Sequence, residues 1–168
     1  RTGLSTNKKE NGDGVLFSCG LGGEEEELSR TALEKILRNG LRPPRNLFVE
    51  PKILPKVYPN WIIPANFSYN MFNECIAACI RPGLGTVSDA LINNIKIFGF
   101  ADKGSFEMAH NGKVLEQLGV GEFCNDPYLM LTKAFTYAAD KGAQDINFEI
   151  TSILNKNAVQ TTSEFIIN

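Results

Sequence analysis

Six short apolar runs recur along the chain, separated by segments with helical patterning, and this alternation constrains the fold more than any other feature. The runs are VLFSCG, NLFVE, NWIIP, AACIRP, IKIFGFA and VGEFC. Near-continuous apolar runs of this length suit strands buried on both faces, as in a parallel sheet. Between the first two lies EEEELSRTALEKILRNG, with Leu28, Leu33, Ile36 and Leu37 at helical spacing, four acids in the first turn and Gly40 as a stop. YNMFNEC has room for one or two helical turns. TVSDALINN, SFEMAHNGKVLEQLG and DPYLMLTKAFTYAADKG read as helices, the last opening on an Asp-Pro start signal. Strands alternating with helices over short connections predict an α/β, Rossmann-like parallel sheet with helices on both faces.

Residues 1–14 are polar, contain glycine and lack periodicity, so they read as a linker or lead-in to a domain covering 15–168. The tail from Gln144 is amphipathic but rich in β-branched residues, which weakens its helical pattern. With 168 residues the chain has enough length for one domain with a proper core, and no room for a second Rossmann-like unit before Val15. Because it opens on Arg1, a trimmed or partial chain is expected. A formal net charge of -2 argues against nucleic-acid binding, which wants a basic stripe. No apolar run reaches the ~18 residues a membrane span needs, and the first residues do not form a signal peptide. The expected location is cytoplasmic. Cys19, Cys75, Cys79 and Cys124 form no CxxC pair, and His110 is the single histidine. Buried free thiols therefore fit better than a metal site, and His110 reads as structural.

In parallel α/β sheets, ligands sit outside the carboxyl ends of the strands, where strand order reverses. Two glycine-bearing loops qualify: SCGLGGEEEE after the first run and RPGLGTVSDA after the fourth. Both lead into helices, whose first turn offers unpaired N–H groups and about half a positive charge. Glu24 to Glu27 would use the first helix's positive end and repel an anion, by on the order of 3 kcal/mol per contact at ~5 Å and an effective dielectric of ~20. The second helix carries no acid before Asp89, and Arg81 lies just upstream. An anion is therefore expected at 83–86. Thr86-x-x-Asp89 also fits a capping box, with Thr86 as N-cap, and that structural account stands beside the ligand one. Neither a GxGxxG nor a Walker sequence is present, so a nicotinamide enzyme or P-loop NTPase is unsupported.

The stretch CIRPGLGTVSDALINNIKIFGFADKGSFEMAHNGKVLEQLGVGE resembles the C-terminal, nucleotide-sugar-binding domain of GT-B glycosyltransferases. It is most similar to the branch holding the bacterial lipid-II-forming N-acetylglucosaminyltransferase and the plant galactolipid synthases. The resemblance implies that Gly83, Leu84, Gly85 and Thr86, with Arg81, face a donor diphosphate. It implies that Asp89, where the family has a glutamate, accepts from the ribose hydroxyls, and that Glu107 and Asn111 lie at the sugar, Asn111 bracing the loop. Ile62 and Ile63 match the loop holding the base through backbone groups. Ser18, Gly20 and Gly22 match the first glycine loop at the cleft. A departure is FADKGSFE, which lacks the family's proline. The resemblance further implies a nucleotide-sugar substrate, with UDP as the expected base carrier, and neither metal nor cofactor. The partner is an acceptor domain or subunit elsewhere, with no catalytic residue in this chain, and a lipid acceptor at a membrane surface is consistent with the apolar segment 64–72. Other readings are a non-enzymatic subunit or interaction module, and a sugar-nucleotide epimerase relative.

Overall fold

A computed structural model describes residues 12–20, 24–101 and 104–140. Six parallel strands form one sheet: β1 (Gly14–Ser18), β2 (Leu47–Val49), β3 (Ile62–Pro64), β4 (Cys75–Ile80), β5 (Lys96–Gly99) and β6 (Gly121–Phe123). Their spatial order is β3-β2-β1-β4-β5-β6, so the chain reverses its direction of travel across the sheet between β1 and β4. The helices are α1 (Glu24–Arg38), α2 (Tyr69–Asn73), α3 (Leu84–Ile92), α4 (Phe106–Gln117) and α5 (Pro127–Ala139). The expected α/β class and all six strands are present. Gly22 and the tail from Gln144 lie outside the described residues.

Alternation along the strands divides the core. Val15, Phe17, Leu47, Val49, Ala77, Cys79 and Phe98 point to one face, where Ala32, Leu33 and Ile36 of α1 and Met130, Leu131, Ala134 and Ala138 of α5 cover them. Leu16, Phe48, Ala78, Ile80 and Ile97 point to the other, under Met71 and Phe72 of α2, Val87, Ala90 and Leu91 of α3, and Leu115 of α4. Both faces of β1 and β4 are thus removed from water, which is why their sequences are apolar without a polar alternate.

The structure differs from the sequence expectations in instructive places. Within the expected lead-in, Gly12 and Gly14 donate backbone hydrogen bonds to the carbonyls of Asn73 and Glu74 at 3.1 and 2.8 Å. Leu28 is exposed. The buried stripe of α1 is instead Glu25, Ser29, Ala32, Leu33 and Ile36. The N-cap of α3 lies three residues before the expected one: it is Gly83, in extended backbone at φ -80 and ψ 147, and Thr86 is the third helical residue. Val87 closes that first turn by donating to the Gly83 carbonyl at 3.0 Å. His110 is exposed on α4. In the apolar segment 64–72, Ala65, Met71 and Phe72 are buried while Phe67 and Tyr69 are exposed.

Candidate functional site

The parallel sheet sends every strand's carboxyl end to one edge, and the reversal between β1 and β4 opens that edge at their two following loops. At the β4 loop, Pro82 is buried and Gly83 passes directly into α3. No side chain caps this helix. By contrast, Ser68 caps α2 and Asp126 caps α5 through their side-chain oxygens. The amides of Leu84, Gly85 and Thr86 belong to the first turn, where no intrahelical acceptor exists. A methyl group added to Gly85 would meet nothing within 4 Å, and one on Gly83 would only reach the Met108 sulfur at 4.0 Å. The backbone here is open to close approach. Asp89 is exposed and lies four positions after Gly85, hence on the same helix face. Its carboxylate plays no capping part.

Arg81 does not stand alone at this loop. Its Nε lies 3.2 Å from Oε1 of Glu25, a carboxylate only 4% exposed, while the Arg81 side chain is 30% exposed. Its Nη2 donates to the Ser105 hydroxyl at 3.1 Å. Glu26 is similarly paired, at 3.0 Å, with Arg30. Two of the four acids expected to repel an anion are therefore neutralised, and the contrast between the two helix ends is smaller than a count of charges predicts.

The loop after β1 is tied to β2. Ser18 Oγ and the Cys19 N–H both donate to Glu50 Oε2, at 2.8 and 3.0 Å. Lys52 pairs with the other Glu50 oxygen at 3.3 Å and donates to the Gly20 carbonyl. Burial, and then the Glu50 charge, push the Cys19 thiol up to about 11, so it remains protonated at neutral pH. The Ser18 hydroxyl is spent on this anchor. Sequence reasoning missed Glu50, although an acid directly after the run NLFV is a legible signal for a group at the sheet's carboxyl edge.

Asn111 is 1% exposed and its Nδ2 donates to the Pro82 carbonyl at 3.0 Å, so α4 braces the start of α3. Its Oδ1 is buried without a hydrogen-bond partner. Glu107 is exposed in the first turn of α4. Residues 81–86, 105 and 111 thus converge, and Gly20 joins them through Arg81, whose Cδ would lie 3.2 Å from a Cβ on Gly20. Ile62 and Ile63 do not join them. They lie in β3, the sheet's edge strand, two strands from β1 and ~10 Å away at ordinary strand spacing. Ile62 is core, and its N–H donates to Pro59. Among the described residues, no group of three His, Cys, Asp or Glu side chains could hold a metal ion, and all four cysteines are buried and free. No described helix is long and apolar enough to cross a membrane.

A solved structure of the glycosyltransferase of kitacinnamycin matches with a TM-score of 0.57 and 14% identity, covering 93% of this chain and 41% of the other. The fold is glycosyltransferase-like. This chain spans well under half the length of that neighbour. No protein-family model matches the chain, and no curated protein matches its sequence.

Proposed function

We propose that the chain is the nucleotide-sugar-binding half of a two-domain GT-B glycosyltransferase, of the branch that makes lipid-linked sugars. The observation carrying this reading is the uncapped, acid-free first turn of α3, opening through Gly83 and Gly85 at the sheet's reversal point. Three first-turn amides and the helix dipole favour a diphosphate there. As the bond from sugar to phosphate breaks, charge develops on the leaving diphosphate, and fixed backbone donors stabilise it without a metal. Asp89, on the same helix face, accepts from the ribose diol, since a carboxylate offers about four lone-pair sites. Glu107, in the first turn of α4, reaches the sugar hydroxyls. The acceptor, a hydroxyl compound at a membrane surface, and the catalytic base belong to a second domain or subunit, and the enzyme works in the cytoplasm.

Titration calorimetry with UDP, GDP, ADP and dTDP tests this. Selective binding of UDP is expected, weakened about tenfold in Asp89→Ala, the loss of one or two hydrogen bonds. Absence of binding by every nucleotide at millimolar concentration overturns the reading and leaves an interaction module with this fold.

A further inference from the structure

We infer that the amino edge of the sheet, opposite the candidate donor site, carries a second binding site, for a small amphiphilic anion with an apolar body. The inference does not rest on the donor-site reading. The chain leaves α1 through a Schellman turn: the Leu41 N–H donates to Ile36 and the Gly40 N–H to Leu37, both at 3.1 Å, with Gly40 at the left-handed φ of +65. That turn occupies the last carbonyls of α1 and starts the loop that precedes β2. The loop that precedes β3 supplies the facing wall through Val57, Tyr58 and Trp61. Between them lies a cavity of about 510 Å³, whose lining includes Leu37, Leu41 and Arg42. Small-molecule sites span roughly 300–1,000 Å³. Leu37 and Trp61 pack against the core beneath it. Leu41, Val57 and Tyr58 stay exposed, Val57 at 86%. Exposed apolar groups gathered at one concave place mark a binding surface, where scattered ones do not.

Charge and hydrogen bonding select the occupant. Residues 35–61 hold six of the chain's 17 lysines and arginines but one of its 19 acids. That acid, Glu50, follows the carboxyl end of β2 and is engaged by Ser18 and Lys52. Among the described residues, Arg38, Arg42 and Lys56 enter no ion pair. The charged member of the lining, Arg42, only donates, and so does the Trp61 indole N–H. An occupant therefore brings an acceptor, and an anionic one meets positive charge that no acid offsets. Strand addition beside the cavity is closed. Trp61 and Ala65 bond to β2, which leaves Ile62 and Pro64 as the outward positions of the edge strand β3. The Ile62 N–H turns back to Pro59 at 3.0 Å, and Pro64 has no N–H. The occupant is thus compact and held by side chains.

Trp61 is the chain's single tryptophan, so its emission reads this cavity directly. Two probes, 8-anilinonaphthalene-1-sulfonate and N-phenyl-1-naphthylamine, share one ring system, and only the first is an anion. We expect a saturable change in Trp61 emission with the sulfonate, at an affinity about three- to fivefold above that of the neutral amine, the strength of one exposed ion pair. Arg42→Gln should remove that difference and leave the amine's affinity intact. Val57→Asp, also at an exposed position, should weaken both probes about fivefold or more. Equal affinity for the two probes in the wild-type chain, or no effect of either substitution, overturns the inference. Sodium decanoate and vesicles of phosphatidylglycerol, each followed through Trp61, separate the two sources of such a group. A response to decanoate assigns the site to a free amphiphile, and a response to vesicles alone assigns it to a bilayer lipid. A response to neither overturns the inference.

Discussion

Replacing Asn111 by alanine separates bracing from ligand contact at the one buried polar side chain between α4 and α3. The Nδ2 donor lies 3.0 Å from the Pro82 carbonyl, and Asn111 is 1% exposed. Truncation leaves that carbonyl without its side-chain donor, a loss of about 1–3 kcal/mol. Part is returned, because Oδ1 is buried without a partner and disappears in the same change. The net expectation is roughly 1–2 kcal/mol, or a fall in Tm of about 3–8 °C for a domain of this size. Pro82 immediately precedes the α3 N-cap, so the same variant should also weaken UDP, a ligand without the transferred sugar, by several-fold. Thermal unfolding by circular dichroism and calorimetry with UDP and a UDP-sugar make the comparison. An unchanged Tm and unchanged UDP affinity, with loss confined to the UDP-sugar, would refute bracing and put Asn111 at the sugar.

Gly85→Ala should raise stability by about 0.5–1 kcal/mol, since the methyl group meets nothing and alanine favours a helix, yet weaken UDP about tenfold. A raised Tm with full affinity would move the phosphates elsewhere. Gly112→Ala should cost about 1–3 kcal/mol, because the new Cβ would sit 2.1 Å from the Phe123 ring; chemical denaturation should show Phe123→Leu recovering most of that loss, and no coupling would contradict the packing. Burial raises the thiols of Cys19 and Cys124 to about 11 and of Cys75 to about 12, from 9.0. The folded chain therefore holds these protons longer than the unfolded chain does. Their contribution to stability is full below pH 9 and fades as pH rises toward 11–12, by roughly 1 kcal/mol per pH unit and thiol. Tm measured from pH 8 to 10.5 should fall above 9, less steeply in Cys75→Ala, and an identical slope in that variant would count against the thiol origin.

Local patterning carried the architecture because the central strands β1, β2 and β4 are buried on both faces and each helix keeps one stripe. VLFS, LFV and AACI could be read as strands from composition alone, while the first residues of β4, Cys75 and Ile76, lay beyond the run read as a strand. What patterning missed depends on partners distant in sequence. Leu28 read with Leu33, Ile36 and Leu37 as one apolar set yet faces water, while Glu25 is buried and pairs with Arg81. The capping reading of Thr86 and Asp89 failed because Gly83 already adopts N-cap geometry, braced from α4 by Asn111 through Pro82. The partner of the Ser18 hydroxyl, Glu50, lies 32 residues on, outside any local window. The edge position of Ile62 and Ile63 follows from strand order, which no local window contains.

The most direct test of the central claim is an NMR titration of the ¹⁵N-labelled chain with UDP, following backbone amides. The account predicts that Leu84, Gly85 and Thr86 shift most and saturate together, while the amides of Glu24–Glu27 move little. Shifts concentrated at Glu24–Glu27, or no shift at 84–86 at saturating UDP, would contradict a diphosphate site at the start of α3.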